Sequence, residues 1–101
     1  MGTIDLVTFD TVEKIMVEMG VWHSACCVGE AEMCYCIVRD DDGRWSVFYL
    51  ERGDRGSLRT FTDEQAACLE FMGRATGTAK VAQWLTERGR PDLIPSVNPL
   101  F

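Results

Sequence analysis

Five cysteines and a single histidine are the residues of this chain best suited to nucleophilic or metal chemistry. Four of the cysteines fall close together, as Cys26-Cys27 and Cys34-x-Cys36, with His23 just ahead of them and Cys68 far behind. Read as strand, His23 and Cys27 stand about 13 Å apart at ~3.3 Å per residue. A tetrahedral zinc, with bonds of about 2.0–2.3 Å, cannot reach both. Cys26 faces away from Cys27, so a Cys-only site lacks a fourth ligand. The pattern therefore reads as small apolar core residues, with no metal and no cofactor. There is no C-x-x-C pair to form a redox centre. Catalysis by a nucleophile needs a base and an orienting group in reach. On a strand His23 points away from Ser24 and Cys26, so it serves neither. The chain has no glycine-rich phosphate loop, no H-E-x-x-H and no G-x-S-x-G. A non-enzyme is expected.

The charged residues suggest contact rather than chemistry. Asp40-Asp41-Asp42 precedes Gly43 and reads as a solvated turn, and Glu30 and Glu32 flank Ala31 in another connector. Arg52, Arg55 and Arg59 form a small basic group, too sparse for nucleic acid and without a stacking platform. Arg52-Gly53-Asp54 spells an adhesion tripeptide, but its setting is that of a hairpin loop. Sixteen acidic against ten basic residues give a net charge of −6. That field disfavours direct nucleic-acid binding and favours a basic partner. No run approaches the ~20 apolar residues that span a bilayer. Met1-Gly2-Thr3-Ile4-Asp5 lacks the basic start and apolar run of an export signal. An odd number of cysteines without such a signal reads as reduced thiols in a cytoplasmic protein with no membrane contact.

These residues are positioned by elements that the spacing predicts. At 101 residues, 47% of them hydrophobic, the chain fits a single domain, 1–101. Val12, Ile15, Met16 and Met19 form a helical stripe, with Asp10 and Glu13 as a capping box and Gly20 as the stop. Strand-like runs follow at Trp22–Val28, Met33–Arg39, Arg44–Glu51 and Ser57–Phe61. Asp42-Gly43 is the strongest hairpin signal between them. Thr62 and Gln65 open a second helix carrying Ala66, Leu69, Phe71 and Met72, with a break bracketed by Gly73 and Gly77. A third helix from Thr78 carries Val81, Trp84 and Leu85 and stops at Gly89. Residues 91–101, with three prolines, form an extended C-terminal tail. The expected fold class is α+β: an N-terminal helix, a four-stranded antiparallel β-meander, and two C-terminal helices packed on the sheet.

A two-residue turn at Asp42-Gly43 places Trp45, Val47 and Tyr49 on one face with Cys34, Cys36 and Val38. Met33, Tyr35, Ile37, Phe48 and Leu50 fall on the other. Both faces are apolar, unlike a sheet solvated on one side. Either the first helix and tail cover one face and the last two helices the other, or part of one face is an interaction surface.

The run Trp45-Ser46-Val47-Phe48-Tyr49-Leu50-Glu51-Arg52-Gly53, followed by Phe61-Thr62-Asp63-Glu64-Gln65-Ala66-Ala67-Cys68, has a distinctive cadence. An aromatic–x–E–R–G strand end and a short loop lead through another strand to a helix opening with acids, Ala and Cys. This stretch, residues 45–68, resembles small bacterial immunity proteins encoded beside polymorphic or contact-dependent growth inhibition toxins. The resemblance implies a non-enzymatic cytoplasmic protein that binds and neutralises one cognate toxin C-terminal domain, such as a basic nuclease. Such families share no catalytic motif, so no site residue carries over. An acidic inhibitor is steered onto a basic toxin, and aromatic residues ringed by acids suit a tight interface. The expected partner-binding set is Asp40, Asp41, Asp42, Trp45, Glu30 and Glu32. The two turns that hold these acids sit at opposite ends of the expected sheet, so one end is used. The alternative is a small homodimeric regulatory or ligand-binding module without catalysis.

Overall fold

The computed structural model describes residues 6–94. Their order is α1 (Val12–Glu18), β1 (Cys26–Val28), β2 (Cys34–Arg39), β3 (Trp45–Glu51), β4 (Asp54–Phe61), α2 (Glu64–Thr76) and α3 (Thr78–Glu87). A short 3₁₀ turn at Pro91–Leu93 stands where an extended tail was expected, and the rest of that tail lies outside the described residues. The α+β class and the sequential strand order β1-β2-β3-β4 agree with the sequence.

The sheet is mixed, not wholly antiparallel, because β1 runs parallel to β2, with Cys26, Cys27 and Val28 opposite Tyr35, Cys36 and Ile37. Neighbouring parallel strands usually need a connection of a dozen residues or more. Here β1 is only three residues long, so residues 29–33 suffice to carry the chain back to the start of β2. The connector is held at both ends: the Gly29 N–H donates to the Ile37 carbonyl at 2.8 Å and the Met33 N–H to Leu50 at 2.7 Å. Between these points Ala31 packs on the sheet's back face, and its carbonyl accepts from the Cys36 thiol at 3.6 Å.

The β2–β3 turn is longer than Asp42-Gly43 suggests. The Gly43 N–H donates to the Asp40 carbonyl at 3.0 Å, Gly43 has φ +86°, and the Asp40 N–H closes on Arg44 at 2.7 Å. This is a turn followed by a left-handed residue, which adds one position to the loop. The register becomes Arg39↔Trp45, Ile37↔Val47, Cys36↔Phe48, Tyr35↔Tyr49 and Cys34↔Leu50. A one-residue slip moves a whole strand's side chains to the other face. Tyr35, Ile37, Trp45, Val47 and Tyr49 therefore share the helix side, while Cys34, Cys36, Phe48 and Leu50 form the back-face cluster.

All three helices pack on one side. Val12 and Met16 of α1 join Ala67, Phe71 and Met72 of α2, Val81 and Leu85 of α3, and Ile37 and Val47 of the sheet. The first helix thus does not cover the opposite face from the last two. The back-face cluster is flanked by Cys27, Ala31 and Val38, and the Arg55 guanidinium lies 4.4 Å from the Phe48 ring centre.

Helix ends follow local chemistry. Both α1 and α3 end on a left-handed glycine, Gly20 and Gly89, with the next N–H reaching back five residues (Val21 to Met16, 3.0 Å; Arg90 to Leu85, 2.9 Å). The expected capping boxes do not form. Thr11 caps α1 without a side-chain bond to the helix, and its hydroxyl instead accepts from the Thr8 N–H at 2.9 Å. Asp63, not Thr62, caps α2 by accepting from the Ala66 N–H at 2.8 Å. Glu64 and Gln65 are thereby free to accept the Phe9 and Leu6 N–H groups at 2.8 and 2.7 Å, which fastens the N-terminal segment. Gly73 is buried inside α2, and the break falls at Gly77, φ +98°.

Candidate functional site

The acidic set proposed from the sequence is only partly gathered. Because the β1–β2 connector crosses the back face, Glu30 lies at the Asp40 end and Glu32 at the opposite, Gly53 end. Arg55 makes ion pairs with both Glu30 (3.0 Å) and Asp40 (3.6 Å). The Ser46 hydroxyl, itself buried, donates to the Asp40 carboxylate. Glu32 accepts the Gly53 N–H at 3.2 Å. Asp42 caps its own turn through the Arg44 N–H at 3.0 Å and stands 3.9 Å from the Arg44 guanidinium. Asp41 is exposed. Trp45 does not join these acids. It packs against the helix-side core beneath Arg39, 5.6 Å from the ring centre, and its indole N–H is buried without a partner. Acids at this end are therefore largely neutralised from within, and the aromatic meant to accompany them faces the other way.

The cysteines and His23 also sit differently from expectation. The strand begins only at Cys26, and a turn through Ser24-Ala25 brings His23 Nε2 to 3.4 Å from Cys26 Sγ. The Ala25 N–H donates to Nδ1 at 3.2 Å, so Nε2 carries the proton and donates to the Ala75 carbonyl at 2.9 Å. No ring lone pair faces the thiol, and burial pushes the Cys26 thiol above its ordinary value. This pair is a structural clasp between β1 and the end of α2. Cys27 lies opposite Cys36, not Cys34 as a hairpin would have it. Among the described residues no group of three or more His, Cys, Asp or Glu could hold a metal ion.

The shifted register creates a site that the sequence reading missed. Tyr35 and Tyr49 are direct cross-strand partners, their rings edge to face with centroids 5.1 Å apart. Together with Ala25, Ser57 and Arg74 they line a cleft of about 730 Å³ on the helix side of the sheet, where α2 ends. A second hollow of about 350 Å³ adjoins it, lined by Tyr49, Glu51, Arg52, Asp54 and Gly56. On its other side Tyr49 stands opposite Gly56, so the directly paired β4 residue puts no side chain against its ring. Next to this pair β4 bulges, with Ser57 at φ +52°, and Arg74 donates to the Ser57 carbonyl at 2.5 Å. Arg74 is fixed in turn by Glu70 at 2.6 Å, a buried carboxylate that also takes Arg59 at 3.2 Å.

Two exposed acids without an ion pair among the described residues lie at this end, as Asp41 does at the other. Glu51 and Asp54 are direct partners across the Arg52-Gly53 turn, both exposed, and neither has an ion pair among the described residues. Like charges placed directly opposite are destabilising. The signal that could have found the site was the Tyr35/Tyr49 spacing around the β2–β3 turn, which the two-residue turn assignment placed on opposite faces. Compared with known proteins, the chain matches no family model, no curated protein and no solved structure. Among the described residues no helix is long and apolar enough to cross a membrane.

Proposed function

We propose that this chain is a non-catalytic binding protein whose partner is a basic protein domain. More narrowly, we read it as an immunity protein that binds and neutralises a cognate bacterial toxin domain by direct contact. The observation that carries this reading is the open tyrosine cleft bordered by the unpaired Glu51 and Asp54. Tyrosine and arginine around a partly desolvated hollow are the composition of interface hot spots. Two carboxylates on directly paired positions, with no cation between them, gain when a partner's cation is placed there. The net charge of −6 adds long-range attraction for a basic partner. The 45–68 resemblance supplies the biological setting, and Tyr49, Glu51 and Asp54 fall within it.

Co-expression with the product of the reading frame adjacent to its gene tests this directly. A stable complex together with relief of growth inhibition is expected. Absence of both would overturn the reading. One feature favours the second reading, a homodimer: β4 is an edge strand of eight residues, exposed along almost its whole length. A mass in solution that doubles with concentration would favour that outcome.

A further inference from the structure

We infer that the hollow beside Tyr49 is an arginine-binding subsite, built to receive the guanidinium of a protein partner. The inference deepens the reading of a basic partner and rests on it. Aromatic rings in this sheet are systematically covered by arginine. The Arg39, Arg55 and Arg59 guanidiniums lie over Trp45, Phe48 and Phe61 at 5.6, 4.4 and 4.9 Å from the ring centres. Tyr35 and Tyr49 are the two sheet aromatics without such a cover, and they are the pair that faces the open cleft. Gly56 opposite Tyr49 leaves the ring's flank bare, and Glu51 and Asp54 stand on the same side of the hairpin. A planar cation placed there meets a π-face and two carboxylates at once. Arginine fits this better than lysine, because its fork pairs with both carboxylates while its plane stacks on the ring. Arg52 lines the same hollow, makes no ion pair with either acid, and acts as the resident competitor for the guest. Arg74 lines the adjoining cleft, but its guanidinium is engaged by Glu70 and the Ser57 carbonyl.

The test uses the full chain, ¹⁵N-labelled, and titrates it with N-acetyl-arginine amide as the probe and N-acetyl-citrulline amide as its uncharged counterpart. Saturable shifts confined to the amides of Tyr35, Tyr49, Glu51, Asp54 and Gly56 are expected with the arginine probe, and roughly tenfold weaker binding with citrulline. The double variant Glu51→Gln/Asp54→Asn loses the response while its thermal midpoint stays equal or rises, and Arg52→Ala tightens binding. Equal response to both probes, shifts scattered over other faces, or undiminished binding by the folded double variant would overturn the inference. No toxin is needed for these titrations. Their failure is therefore distinct from failure of the co-expression experiment.

Discussion

Glu70 is the single charged residue on which most of the α2–β4 junction depends. Its side chain is 9% exposed and takes Arg74 at 2.6 Å and Arg59 at 3.2 Å. Arg74 is 18% exposed, and Arg59, at 43%, is well solvated. Breaking a fully buried pair costs about 3–5 kcal/mol, whereas an exposed pair is worth about 0–1. The Arg74 contact belongs nearer the first range and the Arg59 contact nearer the second. Glu70→Gln keeps the shape and one acceptor but removes the charge, which sets the expected loss at about 2 kcal/mol. For a domain of this size that is a fall of about 10 °C in thermal midpoint. Urea unfolding of the variant and of its doubles with Arg59→Ala and Arg74→Ala gives the coupling of each pair. Coupling to Arg74 of about 1.5 kcal/mol and to Arg59 of about 0.5 is expected. A total loss under about 0.5 kcal/mol, or a stronger coupling to Arg59, would refute the assignment of this junction to a buried carboxylate.

Other consequences separate the two acidic regions. Asp40→Ala removes the acceptor of the buried Ser46 hydroxyl and one partner of Arg55, and should cost about 1–2 kcal/mol in urea unfolding, while Asp41→Ala stays within about 0.5. Neutralising Glu51 and Asp54 together relieves a cross-strand repulsion and should stabilise by about 0.2–1 kcal/mol in the same assay. Burial pushes the Cys26, Cys27 and Cys36 thiols above the ordinary value of 9.0, with nearby thiols adding to the effect. The folded state thus holds these protons when the unfolded chain has lost them. Their contribution is complete below pH ~9 and is lost as the pH rises through the higher folded values. Unfolding midpoints measured between pH 8 and 10.5 should fall, and less steeply when Cys36 is replaced by alanine.

The fold was legible where local chemistry decides it. The Val12/Ile15/Met16/Met19 stripe, the stops at Gly20 and Gly89, and the α2 and α3 faces with Phe71, Met72, Val81 and Leu85 all act within a few residues of themselves. What was hidden depended on counting. One extra residue in the Asp40–Arg44 turn flipped β3 relative to β2, moved Trp45 away from the acids, and brought Tyr35 beside Tyr49. The parallel β1 was hidden for a related reason. Residues 29–33 are too few for an ordinary crossover, and only the three-residue length of β1 makes the return feasible. Of the expected contact set, Glu30 and Asp40 do meet, but on Arg55, so their charge is used within the fold. Glu51 and Asp54 gave no sign of pairing because β4 was expected to start at Ser57, whereas it starts at Asp54.

The central claim, a basic partner docked at the tyrosine cleft, is tested most directly by growth rescue in cells expressing the adjacent reading frame's product. Wild type, Asp41→Ala/Asp42→Ala and Glu51→Gln/Asp54→Asn proteins would be compared at equal folded abundance. Rescue by the first two and its loss in the third is the expected result. Rescue by all three, or its loss only in the Asp41/Asp42 variant, would contradict the account.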